Sequence, residues 1–145
     1  MTVDKEKALQ EWASTNPFLT DRLMFDYLGG HDGNCSISPM FSDAIIKAYI
    51  NGDRIREYPF ALQVMFAVSD TTDNVNTDNM FTLRQWQDWI NGQEAEKNYP
   101  DFGDDCMIYQ LENLNNMPAM AMRYENNMAK YQFYAKFTYY ERMAK

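Results

Sequence analysis

The chain reads as an α+β domain, a small, mostly antiparallel twisted β-sheet packed against two or three helices. Three observations predict this. Ala129, Tyr131, Phe133, Ala135, Phe137 and Tyr139 alternate with Lys130, Gln132, Tyr134, Lys136, Thr138 and Tyr140, and a period of two places each set on its own face of a strand. Tyr58, Phe60, Leu62, Val64, Phe66 and Val68 repeat that period. Met80, Leu83, Trp86 and Ile90 instead keep helical spacing, a stripe widened by Phe81 and Trp89. Helix, strands, helix, strands is an α+β order.

The elements follow in turn. Residues 4–14 put Ala8, Leu9, Trp12 and Ala13 on one helical stripe, with Asp4 as N-cap. Asn16-Pro17 interrupts it. Leu19, Leu23, Met24 and Tyr27 predict a further helical turn or two from Phe18 to Leu28, ended by Gly29-Gly30-His31-Asp32-Gly33. Cys35 to Phe41 reads as a strand bent or exposed at Pro39. Ile45–Ile50, Asn51-Gly52 and the run from Asp53 predict a hairpin closed by a type I′ turn, in which both central residues take positive φ. Pro59 cannot donate to a ladder and predicts a bulge or an unpaired edge stretch. Ser69 to Thr77 reads as a polar loop before a helix over 77–97, which Asn98-Tyr99-Pro100-Asp101-Phe102-Gly103 ends. Strands from Cys106 to Leu114 and from Met117 to Tyr124 follow, then a turn at Glu125-Asn126-Asn127 and the alternating tail.

All 145 residues form one predicted domain: a helical segment over 1–30, strands and hairpin over 35–69, the helix over 77–97 and the C-terminal strands over 106–141. A chain of this length buries roughly 68–70% of its unfolded surface and needs no disulfide or metal to be stable. Cys35 and Cys106 lack CxxC spacing and read as buried, reduced thiols. Met1 to Lys7 lacks the apolar core of a signal peptide, and no apolar run approaches the ~18 residues of a membrane span. The expectation is a protein made in the cytoplasm, with no membrane partner.

Thirteen basic against 21 acidic residues give a net charge of −8. That surface repels phosphate backbones, which disfavours specific nucleic-acid binding; solubility accounts for the charge, and a sharper reading is a surface past which DNA slides. Aromatic residues make up 15% of the chain and methionines number 11; both are residue types enriched at protein interfaces as well as in cores.

Candidate chemistry is sparse. His31 beside Asp32 offers a ligand or acid/base pair, but one histidine and one acid fall short of a metal site, and an exposed loop histidine accounts for it. Asp70, Asp73, Asn74, Asn76 and Asp78 crowd one stretch as in a calcium loop. No register supplies both the glycine and the terminal glutamate of an EF-hand, and capping explains the same residues. Asp101, Asp104 and Asp105 flank a turn, where acids are common. Gly29 to Gly33 has no GK[ST] and no preceding strand, so it is not a phosphate loop. Trp86 and Trp89 can stack on bases or sugars, yet beside Leu83 and Ile90 they read as core. The prediction is a non-enzymatic protein without metal or cofactor.

Tyr49-Ile50-Asn51-Gly52-Asp53-Arg54-Ile55-Arg56-Glu57-Tyr58-Pro59-Phe60, running on into Leu62 to Phe66, resembles a hairpin of small neck proteins in long-tailed bacteriophages. Trp89-Ile90, Asn98-Tyr99-Pro100-Asp101-Phe102-Gly103, Leu111-Glu112-Asn113-Leu114 and Ala129-Lys130-Tyr131 continue the likeness in order. Over about residues 45–141 the chain is similar to the tail terminators, the tail-to-head joining or tail completion proteins also labelled minor capsid proteins. Residues 1–44 share only a helix-then-loop outline. The resemblance implies a small twisted sheet with helices on one side. It also implies a homo-oligomeric ring, usually a hexamer, that caps the tail tube protein, receives the head-completion or connector protein and lets DNA pass its lumen. It implies a virion protein of the tail and neck, assembled in the host bacterial cytoplasm, and offers no catalytic residues. Tyr58, Pro59, Asp70, Asp73, Tyr134, Lys136 and Tyr140 are the candidate contact residues. Two readings stand beside it: another head–tail connector component, and a monomeric acidic inhibitor of the immunity-protein kind.

Overall fold

The computed structural model describes residues 4–40, 44–68, 73–115, 118–124 and 127–143. In chain order the elements are α1 (Lys5–Ala13), β1 (Leu23–Phe25), β2 (Cys35–Pro39), β3 (Ala44–Ala48), β4 (Arg54–Ala67), α2 (Asp73–Glu96), β5 (Cys106–Asn113), β6 (Ala119–Arg123) and β7 (Met128–Glu141). The α+β reading holds: one seven-stranded mixed sheet and two helices.

The two runs with the cleanest alternation became the spine. β4 and β7 pair antiparallel from Arg54↔Glu141 to Ala67↔Met128 without a register shift. Shorter strands flank them end to end. β2 and β3 both lie along β4, over Phe60–Val64 and Arg54–Glu57 respectively. β5 and β6 both lie along β7, over Ala135–Glu141 and Ala129–Gln132. β1 adds outside β2 as the parallel member.

Paired residues point the same way, so the pairs Tyr58↔Phe137, Phe60↔Ala135, Leu62↔Phe133 and Val64↔Tyr131 build one continuous apolar face. Phe137 is its centre, with Trp12 5.0 Å, Phe60 5.2 Å and Phe102 5.8 Å away between ring centroids. Each such pair contributes about 0.5–1.5 kcal/mol beyond area burial. α1 brings Leu9 and Trp12 onto this face, and α2 brings Leu83, Trp86 and Ile90. Trp86 donates Nε1–H to the Phe18 carbonyl at 2.8 Å, and Trp12 donates to the Asn98 carbonyl at 2.9 Å. Trp12 and Trp86 are thus core with their polar edge satisfied, whereas Trp89 is only partly buried against that core. Asp4 caps α1 by accepting from the Lys7 N–H.

Several local expectations are corrected. Phe18 to Leu28 contains no helix. Leu23 is buried and pairs with Cys35, while Tyr27 is 66% exposed; a stripe this short (one or two turns) gains more by adding Leu23 to a sheet edge than by nucleating a helix. α2 begins at Asp73, so the supposed loop residues 73–77 are helical; acidic and amide side chains suit a first turn, where backbone N–H groups are unpaired. Phe81 does not widen the core stripe, being 62% exposed. α2 ends in a Schellman closure, Asn98 N–H to Gln93 O and Lys97 N–H to Glu94 O, with Lys97 itself at positive φ.

The β3–β4 hairpin is real, but its turn is not type I′. Gly52 N–H donates to Tyr49 O, Tyr49 N–H to Asp53 O, and of the central residues only Gly52 has positive φ, +92°. This is the three-residue loop with glycine at the left-handed position. Pro59 carries no bulge in the β4–β7 ladder. It pairs with Lys136 in an interior strand, and on its other side, between the β2 and β3 ladders, its carbonyl accepts from the Met40 N–H, so the expected bulge or unpaired edge stretch is corrected on both counts. Cys35 is buried as expected, with its thiol against the Asp21 carbonyl, but Cys106 is only partly buried.

Candidate functional site

The helices cover one face of the sheet; the other carries the alternate residues of β4 and β7. There Glu57, Pro59, Ala61 and Gln63 lie across from Thr138, Lys136, Tyr134 and Gln132. Three of the candidate contact residues, Tyr134, Lys136 and Tyr140, are on this helix-free face, all half-buried. Pro59 joins them opposite Lys136. Tyr58 does not: its side chain is 3% exposed and packs on Phe102, because its parity along β4 is that of the core. Asp70 lies outside the described residues. Asp73 starts α2, and its side chain lies outside them.

The face is held by charge and amide pairing. Lys136 donates to Glu57 on one side and lies 3.4 Å from Glu112 on the other, a cation between two carboxylates from three strands. The hydrogen bond to Glu57 pushes the Lys136 ammonium up in pKa, outweighing the effect of burial. Gln132 donates to the Tyr134 hydroxyl at 2.6 Å, and Gln63 reaches Gln132. At the end of the face Tyr140 donates its hydroxyl to Asp53, which also accepts from the Met143 N–H at 2.7 Å. These bonds hold the Asp53 carboxyl below its ordinary value and the Tyr140 phenol above its own, Tyr140 and Asp53 being each other's first cause.

Sequence reasoning missed Asp53, Glu57 and Glu112. The available signal was parity: Asp53 and Glu57 fall in step with Pro59, and a run with core residues at 58, 60 and 62 must aim them at the other face.

A second surface feature is apolar. Every residue from Ile45 to Ile50 is exposed, Ile50 completely, and Lys47 is the sole charge among them. Lys47 lies over the Tyr49 ring, 5.0 Å from its centroid. On the opposite edge Met107 and Tyr109 of β5 are also exposed, beside the exposed Asp101, Asp104 and Asp105.

The other sequence candidates have structural roles. Asp32 accepts from the Ala67 N–H at 2.8 Å and fastens its loop to β4, while His31 beside it is exposed. Asp101 accepts from the Gly103 N–H, and Asp105 lies 3.6 Å from Arg142. Among the described residues no three His, Cys, Asp or Glu side chains come together as a metal site, and no helix is long and apolar enough to cross a membrane. A shallow groove of about 530 Å³ between α1 and the 98–101 segment is lined by Lys7, Glu11, Trp12 and Tyr99. Compared with known proteins, the chain matches no family model and no curated protein.

Proposed function

We propose that this chain is a structural virion protein, a tail terminator that closes into a ring, hexameric by the resemblance, at the head-proximal end of a phage tail tube. The observation that carries the reading is where the resemblance falls. Tyr49 to Phe60, the hairpin segment of that resemblance, runs into β4, and the hairpin it belongs to carries the exposed run Ile45–Ile50. Exposed strand edges with contiguous apolar side chains are aggregation-prone in a monomer and belong in an assembly.

The mechanism is geometric. The ring covers the top of the tube and stops its growth, and its opposite side receives the head connector. Contacts bury apolar side chains, with polar rims setting specificity. A net charge of −8 keeps DNA from adhering as it passes the lumen.

The test is assembly. Tail-tube protein polymerised with and without this chain is inspected by electron microscopy, and the free chain is followed by light scattering over a concentration series. Tubes of bounded length capped by a ring are the expected result. Tubes that grow unchecked beside a strictly monomeric chain would overturn the reading.

A further inference from the structure

At the end of the sheet where Arg54 pairs with Glu141, four strands lie side by side in the order β3-β4-β7-β5, each antiparallel to the next. The two edges of this sub-sheet therefore run in opposite directions and sit level with each other. A second copy displaced sideways by rotation presents its β3 to the first copy's β5 in antiparallel sense, so the alternation continues across the boundary. β6 lies along the Ala129–Gln132 stretch of β7, at the other end of the sheet, and meets no level partner in β3.

The edges also match chemically. Residues 45–50 of β3 and its turn offer Ile45, Ile46 and Ile50 with Lys47 as the one charge of that run, while the β5 edge offers Met107 and Tyr109 beside Asp104 and its neighbouring carboxylates. Apolar side chains meet apolar ones, and a positive edge meets a negative one. Such a contact uses different patches on the two copies, which generates a ring where the rotation closes and an open filament where it does not, rather than a closed pair.

We infer that the β3 edge of one copy docks on the β5 edge of the next, making one antiparallel sheet continuous around the assembly. This rests on the ring reading above and specifies its interface. The experiment places cysteines on both edges, Ile46→Cys with Tyr109→Cys in a Cys106→Ser background, and oxidises the assembled protein. A ladder of covalent oligomers on denaturing gels is expected, and each single-cysteine variant yields no species beyond a dimer. Oligomers seen by light scattering that give no ladder overturn the edge pairing alone, whereas a chain monomeric at every concentration and on tubes overturns the ring as well. A second measurement uses charge. Lys47→Glu weakens self-association roughly fivefold, and adding Asp104→Lys restores it; a double variant no tighter than the single one counts against the pairing.

Discussion

Lys136 on β7 donates its ammonium to Glu57 on β4, two pairs along the ladder from its own partner Pro59. Glu112 of β5 completes the cluster at 3.4 Å. With side chains 22% and 27% exposed, the Lys136–Glu57 pair lies between a solvated ion pair and a buried one.

Lys136→Met should therefore destabilise the fold by about 1–2 kcal/mol, above the ~1 kcal/mol of an exposed pair and below the ~3–5 kcal/mol of a buried one. Much of the loss comes from leaving Glu57 and Glu112 facing each other without a cation. Urea midpoints for Lys136→Met, Glu57→Gln and the double variant measure it. A coupling near zero in that cycle would show the pair to be incidental.

Trp86 is fully buried and ties α2 to the Phe18 carbonyl. Trp86→Ala should cost about 3–5 kcal/mol through the cavity it leaves. Trp86→Phe should cost less, about 1–3 kcal/mol, mainly by leaving that carbonyl unpaired. Thermal unfolding of both variants gives the order, and equal losses would remove the hydrogen bond from the account.

Gly52 holds the hairpin turn at φ +92°, and an added Cβ would come within 2.5 Å of the Met143 sulfur. The sulfur ends a flexible side chain and can move aside, so backbone strain dominates. Gly52→Ala should destabilise by about 1–2 kcal/mol. Gly52→Asn, which tolerates left-handed backbone better, should lose less. Chemical denaturation of the pair decides it, and an unchanged Gly52→Ala would contradict the turn assignment.

Stability should fall at both ends of the pH scale for separate reasons. Asp53 has a folded pKa below its ordinary 3.8, so its contribution is present above about that pH and is lost as pH falls through the folded value. Tyr140 and Lys136 have folded pKa values above 10.0 and 10.5. Their contributions are complete below those values and are lost as pH rises through the folded ones. Tyr140→Phe should shrink the acid and alkaline losses together, because it removes the bond that shifts both Asp53 and Tyr140. Urea midpoints below about pH 4 and above about pH 10 test this; a variant with an unchanged acid limb would show that Met143 and Asn51 alone hold Asp53.

The elements legible in the sequence were those with a long, clean period. Residues 129–139 and 58–66 announced their buried face through parity, and Leu83, Trp86 and Ile90 announced theirs through helical spacing. Short segments were not legible. Leu19, Leu23, Met24 and Tyr27 fit a helix by spacing, but only a neighbour, β2, decides that Leu23 belongs to a sheet. The start of α2 at Asp73 was hidden because polar first-turn residues look like a loop.

The sequence by itself determined the α+β class, the two long alternating strands, which of their faces is core, and the β3–β4 hairpin. It did so because alternation and helical stripes are local properties of a chain. Only the tertiary structure decided how the strands beyond that hairpin pair, and that β4 and β7 lie at the centre. Register depends on contacts between residues far apart in sequence, such as Glu57 with Lys136, and no local pattern contains it. That pairing set Glu57 beside Lys136 and left β3 and β5 as level edges running in opposite directions.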